Sequence, residues 1–214
     1  MAIIFGTAGP LPTASIASGS GAIGMGKQTD AWVSEVHGKW YTQAVNGNVF
    51  HGSTLVAGTI IPISTATAAT FALYNPLGSG VNLELIAYEL GISVVTVIAT
   101  PIGLGFSSSV GGAVAVPTSP TSLTVRNGLL GAGKAPQAQL YSVATVVATT
   151  YFKTLFNFTA TNATAGNGLG PASYKYDFDG TLLMPPGTLI QTCGLVAPST
   201  SASTQGFTWA EIPI

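Results

Sequence analysis

From residue 29 onward, short runs of apolar and β-branched residues alternate with polar positions and are broken at close intervals by Gly, Pro, Asn and Asp. Residues 29–45 (TDAWVSEVHGKWYTQAV) are rich in aromatic and β-branched side chains and predict a strand. Asn46-Gly47 follows, a strong hairpin signal, and residues 49–51 resume the strand. Residues 54–63 form another apolar stretch that runs through Pro62, and residues 70–74 lead into the dense turn cluster NPLGSG at 75–80. Residues 81–90 (VNLELIAYEL) and 93–102 (SVVTVIATPI) predict two strands joined at Gly91. Further strands are predicted at 121–126, 139–150 and 151–159 (YFKTLFNFT). Residues 174–178 meet Asp179-Gly180, a hairpin corner, then 181–184 and Pro185-Pro186-Gly187; residues 188–196 and 207–212 close the chain.

That makes roughly ten short strands with turns at regular spacing. No segment shows a sustained helical period with caps, and Thr, Val, Ile and Ala stand where helices favour Glu, Lys, Leu and Arg. The pattern predicts an all-β fold, an antiparallel β-sandwich that is jelly-roll-like. No repeat of fixed period is present, which disfavours a solenoid.

Residues 1–28 break the pattern. They are Gly, Ala, Ser, Thr and Pro with scattered Ile, and Gly19, Gly21, Gly24 and Gly26 raise the entropy cost of ordering the backbone. They predict an extended N-terminal arm, disordered alone or ordered against a neighbour, ahead of one sandwich domain at 29–214.

Charge changes the picture most. The chain has 214 residues, of which six are Lys or Arg and seven are Asp or Glu, for a net charge of −1. Charged residues are 6% of the total, against roughly 25% in an ordinary soluble domain. A compact monomer of this size would expose roughly 9,000 Å². So sparse a surface charge protects poorly against association. Much of this surface is therefore expected to be covered by copies of the chain or by a partner. No basic run exists to neutralise phosphates, so direct nucleic-acid binding is not expected.

A membrane span is not expected either. Residues 90–125 contain one acid-free, base-free window after another, but Pro101, Pro117, Gly103, Gly105, Gly111 and Gly112 interrupt them and no Lys/Arg flanks are present. Met1–Phe5 carries no basic residue and its apolar run stops at Gly6, so a secretory signal is not expected and synthesis in a cytoplasm is.

Candidate chemistry is thin. Gly19-Ser20-Gly21-Ala22-Ile23-Gly24 matches the dinucleotide G-x-G-x-x-G, but no helix is signalled after it and the first acid is Asp30. Gly128–Lys134 (GLLGAGK) matches most of a phosphate-binding loop. However, Ala135 stands where the metal-binding hydroxyl belongs and Pro136 follows, so a turn is expected. Asp177 and Asp179 would share a strand face, without the other oxygens a Ca²⁺ site needs. His37 and His51 could meet across a hairpin, without a third ligand for zinc. Trp32 and Trp40 fall on one face by parity, as core or as an oligomer interface. Asn157 and Asn162 begin glycosylation sequons. Glu84 and Glu89 fall on opposite faces of their strand, so they form no carboxylate pair. Cys193, the sole cysteine, lies in an apolar run and reads as a small buried hydrophobe. No catalytic residues, no metal site and no cofactor are expected, and the protein is not expected to be an enzyme.

Three passages carry a resemblance. GKWYTQAVNGNVFHGST at 38–54, YNPLGSGVNLEL at 74–85, and the pair LMPPGTLI at 183–190 with GFTWAEIP at 206–213 resemble tailed-bacteriophage virion proteins of the head-decoration or fibre kind. The resemblance rests on turn chemistry and strand endings across most of residues 29–214. It implies a jelly-roll-like subunit, often a trimer, bound to the major capsid protein of a shell and carrying no catalytic residues. The expected function is a capsid decoration (cement) protein on the virion surface. Two rivals stand beside it. One is the major capsid or coat protein itself. The other is a fibre protein that recognises cell-surface glycan through exposed aromatics such as Trp40, Tyr41 or Trp209.

Overall fold

The computed structural model of the chain describes residues 38–54, 59–94, 101–108, 116–131, 133–157, 172–196 and 202–214. The arm at 1–28, the glycine motif at 19–24, Trp32, His37 and the sequon at Asn162 lie outside these residues. Contacts divide the chain into Met1–Tyr41 and Thr42–Ile214. In the first unit, Lys39 Nζ stands 5.1 Å over the ring of Trp40.

In the second unit the described residues form two antiparallel sheets. One holds five strands in the order β10 (Ala172–Met184), β4 (Val81–Val94), β12 (Ala202–Pro213), β1 (Val49–Ser53) and β7 (Val125–Asn127). The other runs β2 (Ala68–Ala69), β8 (Gln139–Thr145), β3 (Ala72–Asn75), β11 (Thr188–Gly194), β5 (Pro101–Ser108) and β9 (Thr150–Asn157), and β6 (Thr118–Ser122) also pairs with β8. The strands β3, β5, β9 and β11 belong to the second sheet and β1, β4, β10 and β12 to the first, so the chain crosses between sheets at β3–β4, β4–β5, β9–β10, β10–β11 and β11–β12. That interleaving is the double-sheet topology of a jelly roll. The strands β6, β7 and β8, inserted between β5 and β9, widen both sheets.

The inner faces meet in one core. Phe71 stacks on Phe207 at 5.1 Å, Tyr88 tilts against Phe207 at 5.2 Å, and Phe50 stacks on Trp209 at 6.1 Å. Leu73, Leu85, Leu90, Leu104 and Ile190 fill the space between them and are buried. Each such side chain contributes roughly 1.5–3 kcal/mol of transfer free energy. The Tyr88 hydroxyl donates to Gln205 Oε1 at 3.0 Å, so the ring is buried without an orphaned donor. A smaller cluster of Ala72, Tyr74, Tyr141, Val146 and Leu189 buries the other side of β3 and β11. Asn75 ties the two sheets at a corner. Its Nδ2 donates to Val81 O and to Met184 O, both at 2.9 Å, which pins the crossing from β3 to β4 against that from β10 to β11.

Several expected boundaries change. Residues 38–45, the described part of the predicted strand 29–45, are a turn and the helix α1 (Tyr41–Val45). Asn46-Gly47 is accordingly a helix end and not a hairpin. Gly47 has φ 68° and its N–H donates to Ala44 O, while Asn48 N–H donates to Gln43 O. These are the two bonds of a Schellman cap. A hairpin and a helix cap both demand a left-handed glycine, so the dipeptide alone does not separate them. In the stretch 54–63, the described residues after Thr54 make only the isolated bridges of Thr59 to Ser203 and Ile63 to Gly194.

The remaining changes concern long strands. Gly91 joins no pair of strands, because β4 runs through it to Val94. A Cβ there would collide with Thr204 Oγ1, so the glycine answers a close approach and not a turn. Asp179-Gly180 is likewise no hairpin corner. It bulges out of the single strand β10, where pairing with β4 jumps from Asp177 to Leu182. Both residues are left-handed, at φ 55° and 76°, and Thr181 Oγ1 closes the bulge on Phe178 O at 2.6 Å. Finally, 139–150 divides into β8 and the start of β9.

Candidate functional site

Each candidate group has a definite place. Cys193 lies on β11, buried, and burial pushes its thiol up to about 12. It is held as the neutral thiol, as expected of a small core side chain. His51 stands on the outer side of β1 with Nδ1 3.0 Å from Thr208 Oγ1; desolvation holds its pKa below the ordinary value, against the opposing pull of Glu89. No group of three metal-ligating side chains occurs among the described residues. Asp177 is paired with Lys175 at 2.8 Å, and Asp179 belongs to the bulge.

The phosphate-loop lookalike at 128–134 is a structural turn between β7 and β8. Asn127 holds it, donating to Gly47 O at 2.7 Å and accepting Leu129 N–H at 2.8 Å. Lys134 Nζ is bound to Asn48 Oδ1 at 2.8 Å, and no helix follows. Of the aromatics proposed for a glycan groove, Trp209 is fully buried in the core and cannot line one. Trp40 is half-buried outside any strand and Tyr41 is exposed. Asn157 ends β9. No helix among the described residues is long and apolar enough to cross a membrane.

Two surfaces remain. The strands of the second sheet carry a single formal charge, Lys153, whereas those of the first carry Glu84, Glu89, Arg126, Lys175, Asp177, Asp179 and Glu211. The charge-poor sheet also exposes apolar side chains: Val143 on β8, and Phe106 and Phe152 in edge-to-face contact at 6.1 Å, 39% and 44% exposed. Val143 stands toward the opposite end of this sheet from Phe106 and Phe152.

The outer face of the first sheet is built differently. Cross-strand register sets Lys175, Glu89, Gly206 and Ser53 in one row, and Asp177, Ala87, Thr208, His51 and Arg126 in the next. A cavity of about 590 Å³ includes Ser53, Glu89, Ser173, Lys175, Thr204 and Gly206 in its lining. A second, of about 450 Å³, shares Ser53, Glu89, Lys175 and Gly206 with it and extends to His51 and Arg126. Together they make a trough across the sheet in which hydroxyl and charged groups stand among apolar atoms. Sequence reasoning missed it, since Gly91 was expected to join two strands and Gly206 falls just before the predicted strand 207–212, whereas both lie inside long strands. Comparison with known proteins finds no family model, no curated protein and no solved structure that the chain matches.

Proposed function

We propose that the chain is a non-enzymatic virion structural protein, a capsid decoration (cement) protein that forms an oligomer, a trimer, on the shell of a phage head. The observation that carries this reading is the separation of charge between the two sheets. The second sheet, with Lys153 alone and with Phe106, Val143 and Phe152 exposed, offers apolar and small-polar surface that can be buried with almost no charge to desolvate. A stable protein contact needs roughly 800 Å² per partner, and removing buried charges from it avoids the largest opposing cost. Jelly-roll sandwiches serve as viral capsid and lectin domains; that analogy is one of fold and does not carry function alone.

Adhesion is the mechanism. Each subunit adds contact free energy to a lattice already assembled by the major capsid protein, and residues 1–28 are the segment proposed to reach the shell. Sedimentation of the pure protein at micromolar concentration is expected to give an oligomer, and a stable monomer would refute the assembly. Mixing the protein with undecorated heads, with and without residues 1–28, tests the rest. The full chain is expected to bind and the truncated chain to bind more weakly; equal binding removes the arm from the mechanism. Shells formed by the protein unaided would assign it instead as the coat protein.

A further inference from the structure

We propose that the trough on the outer face of the first sheet binds an acidic oligosaccharide, with Gly206 as its floor and Arg126 receiving the carboxylate. This goes beyond a structural role, since it would give one sheet the shell and the other a soluble or cell-borne sugar.

Gly206 lies in the middle of β12, flanked on both sides by hydrogen-bonded strands. Glycine weakens a strand interior, and here the fold does not ask for it. A Cβ at 206 would meet Gly52 O at 3.6 Å and the Cβ atoms of Glu89 and Ser53 at 3.8 Å, all ordinary contacts, and its φ is not positive. What a side chain would take away is the space shared by the two cavities. A glycine that folding does not require, at the point where two cavities join, is explained by something that approaches the sheet there.

The chemistry of that something follows from the walls. The trough lies on a sheet face, where the backbone donors and acceptors of β1, β4 and β12 are already spent in ladders. An extended peptide lying there would lose the hydration of its amides without gaining backbone partners. Side chains alone must recognise the ligand, and those present include the hydroxyls of Ser53, Thr204 and Thr208, the Glu89 carboxylate and the His51 ring. Such groups match a ligand studded with hydroxyls, each able to donate and accept.

Charge gives the sign. Lys175 is engaged by Asp177 at 2.8 Å, but the Arg126 side chain makes no hydrogen bond or ion pair with any described residue. Its planar fork suits a carboxylate. Glu89 and Arg126 stand three strands apart, roughly 14 Å at the usual strand spacing, which is a span for several sugar rings and not for one.

The test titrates the full chain with trigalacturonate and sialyllactose as acidic probes, and with maltotriose and lactose as neutral ones, following amide resonances and heat. At least one acidic probe is expected to bind, with shifts at Ser53, Glu89 and Gly206, and the neutral probes to bind more weakly. Arg126→Ala is expected to weaken binding about tenfold, the effect of losing one charge-assisted contact. Gly206→Val is expected to abolish binding while leaving thermal stability equal or higher, and Gly206→Ala to weaken it in part. The proposal is overturned if no probe binds, if neutral and acidic probes bind alike, or if binding survives Gly206→Val. It is also overturned if Gly206→Val changes self-association instead, which would make the trough a contact between copies. Binding of Arg126→Ala to undecorated heads, measured in parallel, is expected to be unchanged, so failure of the sugar site and failure of the decoration role are read separately.

Discussion

Glu84 and Glu89 are five residues apart on one strand and yet lie on the same face of the sheet. Strict alternation forbids this. Leu85 pairs with Trp209 and Ala87 with Thr208, which leaves Ile86 as an extra residue opposite no partner. Leu83 and Leu85 point into the core before it, and Tyr88, Leu90 and Ile92 after it. The bulge thus shifts parity once along β4, and it is what places Glu89 in the trough wall.

That residue should be dispensable for the facing of the core. Deleting Ile86 joins Leu85 to Ala87 and restores strict alternation, with Leu83, Leu85, Tyr88, Leu90 and Ile92 still inward and Glu84 and Glu89 still outward. The deletion is expected to keep cooperative thermal unfolding followed by circular dichroism, whereas deleting Ile86 and Ala87 together turns Glu89 inward, at a cost of several kcal/mol for an unpaired buried carboxylate, and is expected to abolish it. Loss of the transition on deleting Ile86 alone would show that the bulge itself is needed by the fold.

Glu211 is a buried carboxylate with backbone partners in place of a cation. Its oxygens accept Gln137 N–H at 2.9 and 3.0 Å and Ala138 N–H at 2.9 Å, fastening the start of β8 to β12. Glu211→Ala leaves two amides unpaired and is expected to cost about 2–4 kcal/mol in chemical denaturation. Glu211→Gln keeps an acceptor oxygen and should cost less; equal losses would mean that packing and not these bonds is what matters.

Cys193 should be inert in the folded protein. With its thiol held near pKa 12 by burial, almost no thiolate exists at neutral pH, and thiolate is the reactive form. Labelling with a thiol reagent is expected to proceed only at the rate of unfolding. Fast, stoichiometric labelling of the native protein would contradict the buried position.

His51 should make the fold slightly sensitive to acid. Its folded pKa lies below the 6.5 of the free side chain because of desolvation. Between those two values the unfolded chain binds more protons than the folded one, so stability falls as pH drops through about 6.5 and levels off once the folded-state ring is also protonated. The exposed edge of the ring keeps the effect small. His51→Gln is expected to flatten the slope in melts between pH 7 and 5, and an unchanged slope would assign it to the carboxylates.

Much of the architecture can be read from the linear pattern. The strands at 72–75, 81–94, 150–157, 188–194 and 202–213 coincide in the main with β-branched and aromatic runs, because burial of one or both faces selects those residues. Apart from Ser119, the left-handed positions among the described residues also fall where Gly and Asp stand, at 47, 78, 80, 131, 179, 180 and 187. What those turns do was not legible. Asn46-Gly47 caps a helix and Asp179-Gly180 bulges from a strand, since a positive φ is a local backbone property and says nothing of which strands lie on either side.

Scarcity of charge, alternation of apolar residues and punctuation by Gly and Pro are properties of the chain before it folds. They sufficed for an all-β sandwich with a surface short of charge. Where the few charges go depends on contacts between residues far apart in the chain, such as Glu89 with Gly206 and with Lys175 across the sheet. Sheet membership and the single unpaired residue at Ile86 placed them on one side of the sandwich, leaving Lys153 alone on the strands of the other. Parity along a strand is local, but a bulge that resets it is held only by the pairing of neighbouring strands, and so the trough appears only when the sheet is assembled.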